Sequence, residues 1–125
     1  MKNDLDRRIV DSVPCGIVQV SLEGDILEAN AVAQSVLGLT FDEATRRFVA
    51  RCESITLLED GSVCPAQDHP LSKCLATRQP QPATTIGVRR VDGRISWRIV
   101  TVIPTSNSAT DEMTGAVVTL DVTAH

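Results

Sequence analysis

The chain has 125 residues, of which 42% are hydrophobic, and 12 Lys and Arg against 16 Asp and Glu leave a formal net charge of -4. That length suits one domain with a modest core, and the apolar content excludes disorder for the bulk of it. The acidic balance excludes nucleic acid as the main partner, because tracking phosphates needs a surplus of cations. Arg46-Arg47 and Arg89-Arg90 read as solvated pairs.

No apolar run approaches the roughly 18–20 residues needed to cross a bilayer, so this segment is expected to make no membrane contact. Met1-Lys2-Asn3-Asp4 lacks the apolar stretch of a signal peptide, and a cytoplasmic location is expected. There is one Trp, two Phe and no Tyr, so Val, Ile, Leu and Ala must build the core. Cys15, Cys52, Cys64 and Cys74 form no CxxC pair and are expected to be free thiols.

Residues 3–12 read as a short helix with Leu5, Ile9 and Val10 on one face, ended by Pro14. The expected division is an N-terminal helix, 1–12, and a single domain, 13–125. Gly16 to Ser21 is a β-branched strand, Leu22-Glu23-Gly24-Asp25 a turn, and Ile26 to Ala29 the returning strand. Asn30 is placed to cap a helix carrying Val32, Ala33, Val36 and Leu37, which Gly38 ends. Thr40-Phe41-Asp42-Glu43 has the form of a capping box and predicts a second short helix through about Ala50.

Residues 51–69 are irregular, with turn chemistry at Glu59-Asp60-Gly61-Ser62. Asp68-His69-Pro70 opens a further helix with Leu71, Cys74 and Leu75 on its buried stripe. Pro80 and Pro82 end it. Three strands follow: Thr84–Arg89, then Arg94–Ile103 after an Asp92-Gly93 turn, then Met113–Val122 after a polar loop. Ile95, Trp97, Ile99, Thr101 and Ile103 share one face of the second, and Pro104 is expected to end it. The pattern predicts an α+β fold, a five-stranded antiparallel sheet with short helices packed on one face.

Four pieces of this chain, in order, resemble the PAS domain. GIVQVSLEGDILEANAVAQSVLG (16–38) is similar to the family's opening hairpin, helix-starting Asn and closing Gly. EDGSVCPAQDHPL (59–71) resembles the loop into its long helix. VDGRISWRIVTVIP (91–104) resembles its Asp-Gly turn, strand Trp and terminal Pro. GAVVTLDVT (115–123) is similar to its last strand, with Val122 in place of the usual Ile. The family often has Gly after the long helix, where this chain has Thr77-Arg78-Gln79-Pro80. If that site is left-handed, Arg78 or Gln79 carries some strain.

The resemblance implies the PAS fold and a regulatory role, as in bacterial sensor kinases and cyclic-di-nucleotide signalling proteins. It implies a sensor relaying to an effector in cis, of histidine kinase or nucleotide cyclase type and absent from this chain, or a ligand-free dimerisation module. A homodimer is expected. Asp121 and Thr123 resemble the junction where a signal leaves the sheet. A cavity between sheet and helices is what the family offers, for a small molecule of unknown identity. Its expected lining is Ile26, Val36, Leu57, Leu71, Leu75, Ile86, Val88, Trp97 and Ile99, with Thr85, Arg89 and Thr101 as polar candidates. The alternative for all twelve is a filled core.

Cofactor chemistry finds little support. A haem needs a well-aimed axial ligand, and His69 stands beside Pro70 at a helix start. Arg51-Cys52-Glu53 lacks the neighbours of a photoactive flavin site. Cys64, His69 and Cys74 have spacings of no common zinc or cluster signature. Catalysis fares no better. Cys64, Asp68 and His69 supply the atom types of a thiol site without an evident oxyanion hole. Ser72 and Ser96 lie in no nucleophile elbow, and the glycines form no phosphate loop.

Overall fold

The structure is a computed structural model that describes residues 15–50, 54–90 and 92–122. The expected helix over 3–12 lies outside the described residues, as does Thr123. Strands β1 (Gly16–Ser21) and β2 (Ile26–Ala29) precede helix α1 (Ala31–Leu37), and β3 (Leu39–Asp42), β4 (Arg47–Ala50) and β5 (Ser54–Leu57) follow. A 3-10 turn (Ala66–Asp68) leads into helix α2 (Pro70–Thr77). The chain closes with β6 (Gln81–Arg90), β7 (Ile95–Ser106) and β8 (Met113–Val122).

One antiparallel sheet runs in the order β3-β4-β2-β1-β8-β7-β6-β5. Among the described residues it has eight strands, against the expected five. The five expected strands form its middle, with β3 and β4 added at one edge and β5 at the other. Helices α1 and α2 pack on the same face of it, α1 over β1, β2 and β3 and α2 over β6, β7 and β8.

The helix expected over residues 40–50 is instead the β3–β4 hairpin. Leu39 is buried, Phe41 shares its face but stays exposed, and Phe41 lies across from Phe48, with ring centroids 5.1 Å apart. The Asp42 carboxylate, inside the capping-box sequence, serves a turn. Oδ2 accepts from the Thr45 hydroxyl at 2.8 Å, and the Arg46 N–H donates to the Asp42 carbonyl at 2.8 Å. Arg46 has φ 60, so the reversal is made by a left-handed arginine where a glycine would have announced it.

Strand β7 continues through Pro104, which was expected to end it. The β6 partnership stops at Val102, so beyond it β7 has only β8 beside it. Proline is tolerated where one strand edge is unpaired. Pro82 likewise falls where β6 and β7 shift register, between Gln81 and Thr84.

The expected ends of α1 hold, whereas α2 stops at Thr77, ahead of Pro80 and Pro82, and Pro82 lies within β6. The Asn30 side chain accepts the Ala33 N–H, and Gly38 closes α1 at φ 66. Arg78 closes α2 at φ 63, the strained position that follows from having no glycine there.

The core is aliphatic. Val18, Val20, Val100, Val102, Ala116, Val118 and Leu120 line the helix-facing side of the three central strands, and Ala33 and Cys74 descend on them from α1 and α2. Both Ala33 and Cys74 are fully buried. Small residues let the helices come close. A Cβ on Gly16 would stand 3.1 Å from the Ala33 Cα, so the glycine permits α1 to seat on β1.

Candidate functional site

In an antiparallel sheet, residues directly opposite each other share a face, and neighbours along a strand alternate. Ile86 pairs with Arg98 and Val88 with Ser96, whereas Thr85 pairs with Ile99, Gly87 with Trp97 and Arg89 with Ile95. Ile86 is in the core beneath the helices. It follows that Thr85, Arg89, Trp97, Ile99 and Thr101 point to the opposite side of the sheet.

The twelve expected lining residues therefore divide. On the helix side, Val36, Ile86 and Val88 are buried, and Ile26, Leu71 and Leu75 pack half-buried against the core, whereas buried Leu57 pairs with Gly87 and so shares the face of Trp97. On the outer side stand Thr85, Arg89, Trp97, Ile99 and Thr101, all half-buried. No single small molecule can touch both sets, because the sheet lies between them.

The outer face has its own order. Ile95, Trp97, Ile99, Thr101 and Ile103 descend β7, and Ile103 pairs with Val117 and Ile99 with Asp121 on β8. Ile17 on β1 pairs with Thr119 and extends the face by one strand. Ile95 and Ile103 are 43% and 54% exposed. Trp97 lies flat over Gly87, where an added Cβ would sit 2.9 Å from the ring. Glycine at 87 thus supplies the floor on which the indole rests. The Thr101 and Thr119 hydroxyls hydrogen-bond across the strands, and Thr105 and Thr114 do so at 3.0 Å. This is an apolar stripe with a satisfied polar ladder through its middle.

Asn30 links the end of the first hairpin to α1. Its Oδ1 accepts from both Ile17 N–H and Ala33 N–H at 3.0 Å, and its Nδ2 donates to the Cys15 carbonyl at 2.9 Å. Buried at 4% exposure, it locks the start of β1 to the helix start. The cap was legible in the sequence. The grip on β1 was not, since it spans thirteen residues.

A second feature lies beside the edge strand β5. An open groove of about 420 Å³ is lined by Ile55, Thr56, Val63, Cys64, Ala66, His69 and Ser72. Cys64 and His69 share its wall, while Cys74 is buried in the core. Among the described residues no group of three or more His, Cys, Asp or Glu side chains is arranged to hold a metal ion.

Burial pushes the thiols of Cys64 and Cys74 above their ordinary range, with the Asp68 charge adding to the effect at Cys64 and Lys73 opposing it. Burial and then the Asp121 carboxylate raise Cys15 as well. Neutral thiols are poor nucleophiles, so none of the three has the electrostatics of a reactive cysteine. Asp121, at the exposed end of β8, lies close enough to Cys15 to act on it, so the end of the last strand and the start of the first are neighbours. No helix among the described residues is long and apolar enough to cross a membrane.

A family model described as PAS fold matches residues 10–125. No curated protein sequence matches the chain. Among solved structures, the PAS domain of an HTR-like protein from Haloarcula marismortui superposes with a TM-score of 0.59 at 18% identity, covering 93% of this chain and 88% of that one. The PAS domain of a Colwellia psychrerythraea protein gives 0.58 at 15% identity, covering 93% and 92%. The E. coli DhaR(N)–DhaL complex contains a chain that gives 0.58 at 17% identity, with 93% of this chain matched to 34% of that one.

Proposed function

The chain belongs to the PAS-fold family, and on that premise we propose that it is a relay module that dimerises through the outer face of its sheet. The family is one of sensory and signalling modules, regulatory rather than catalytic. In this reading the chain itself catalyses nothing. It passes a signal along β8, through Asp121 and Thr123, to an effector of histidine kinase or nucleotide cyclase type in the same polypeptide.

The observation that carries the reading is the apolar stripe of β7. Ile95, Trp97, Ile99 and Ile103 all face away from the core, and Ile95 and Ile103 keep large exposed surfaces. A run of aliphatic side chains on a solvent face is unfavourable unless something covers it. A second copy of the chain is the occupant we propose. Its own stripe supplies the matching apolar surface, and a two-fold axis sets like against like. The stripe neighbours β8 and its exposed Asp121, so contact there and signal exit would share one strand pair. Thr85, Arg89, Trp97, Ile99 and Thr101 belong to this contact.

A second reading keeps a small molecule between helices and sheet. What favours it is the half-buried state of Leu71 and Leu75 on α2, which pack against the core without being closed into it. Ile26, Val36, Ile86 and Val88 would then form the rest of the wall. Native mass spectrometry of the purified chain separates the two. Twice the chain mass with nothing added supports the relay module. A monomer carrying a non-covalent mass supports the ligand sensor and overturns the dimer reading.

A further inference from the structure

His69 ends the 3-10 turn and caps α2 at the same time. Its N–H donates to the Ala66 carbonyl at 3.3 Å, and its carbonyl accepts the Lys73 N–H at 3.0 Å. Its Nδ1 accepts the Leu71 N–H at 3.1 Å. A histidine at this position is an unusual cap, since Ser, Thr, Asp and Asn serve it without titrating near neutral pH.

The bond fixes the tautomer. With Nδ1 accepting, the neutral ring carries its proton on Nε2. The next proton can bind only at Nδ1, on the lone pair that holds Leu71. The imidazolium would then set a donor against a donor, and a positive charge against the positive end of a helix. Pro70, the first residue of α2, has no N–H to offer in exchange.

The surroundings offer the charged ring no relief. Its groove neighbours are Ile55 and Thr56 of β5, Val63 and Cys64 of the loop, Ala66 of the 3-10 turn and Ser72 of α2. Cys64 is the one titratable group among them, and it is held as a neutral thiol. Of the charged residues nearest in sequence, Asp68 is exposed, and Lys73 on the next turn is itself a cation.

We infer that the start of α2 is a proton-sensitive latch, in which protonation of His69 releases the Leu71 cap and loosens the junction between the 3-10 turn and α2. Burial of the ring acts in the same direction, holding its pKa below the ordinary histidine value. The stability this group contributes is therefore complete above its unfolded pKa of about 6.5 and is lost as pH falls through that value toward the lower folded one. Helix α2 packs on β6, β7 and β8, so a loosened α2 reaches the strands at the centre of the sheet.

The chain has two histidines, His69 and His125, and this keeps the test clean. Amide exchange is followed by NMR, with protection factors corrected for the intrinsic pH dependence of exchange. Between about pH 7.5 and about pH 5, Leu71 protection is expected to fall about fivefold or more. His69→Asn keeps a capping oxygen without titrating, and is expected to hold Leu71 protection level across that range. An unchanged protection factor in the natural chain overturns the latch. So does a fall of equal size in His69→Asn, since some other group would then be responsible.

Discussion

On β7 the side chains turned toward the helices include Val100 and Val102, at 2% and 0% exposure, while those turned away include Ile95 and Ile103, at 43% and 54%. Both faces are apolar. The inner residues are small, closely packed and continuous with Val18, Val118 and Leu120 on the neighbouring strands. The outer ones are larger, half-covered and interrupted by the Thr101–Thr119 hydrogen bond. Dense burial of short side chains serves folding. Large aliphatic groups left partly in water add little to the monomer's stability, and in the proposed reading their use lies in contact with a second copy.

The most severe test of that contrast is Gly115, which stands on β8 at an outward-facing register position opposite Ser21 and Thr105. If the outer parity were uniformly tolerant, alanine would cost little there. A Cβ at Gly115 would, however, lie 2.0 Å from the Val20 carbonyl oxygen, and backbone cannot yield as a side chain does. Gly115→Ala is expected to cost about 4 kcal/mol or more, or to abolish folding, as read by urea unfolding. A loss below about 1 kcal/mol would mean that β1 and β8 are farther apart than described.

A milder pair sharpens the comparison directly. Val102→Ala removes methyls from a fully buried site and should cost about 2 kcal/mol. Ile103→Ala, one residue along, should cost less than about 0.5 kcal/mol in the dilute monomer. Thermal unfolding at low concentration measures both. Equal losses would show that the outer face contributes to the fold as much as the inner one.

The middle of the sheet was legible in the sequence because its signals are local. Alternation marks β1 and β8, Gly24 and Gly93 mark turns at φ 90, and Asn30 and Gly38 mark the ends of α1. The edge hairpin was not, because Thr40-Phe41-Asp42-Glu43 satisfies the capping-box pattern equally well. Its fate was decided by Phe41 meeting Phe48 and by the left-handed Arg46, neither of which a short window contains. The same limit applied to the site. Period two groups Trp97 with Ile99 and Thr101, but it does not say which side the helices will cover. Val100 and Val102, on the opposite parity, held that information, since their short aliphatic chains suit the closer-packed side. The shared cavity expected of all twelve residues came from the resemblance, and the register divides them between two faces.

Sedimentation equilibrium on the natural chain and on the double variant Ile95→Glu/Ile103→Glu tests the role of the outer face most directly. Carboxylates at two exposed positions leave the core untouched while like charges oppose each other across a two-fold contact. The natural chain should sediment as a dimer at micromolar concentrations. The double variant should sediment as a monomer that melts cooperatively like the dilute parent. A dimer that survives both substitutions would place the contact elsewhere and contradict the function assigned to this face.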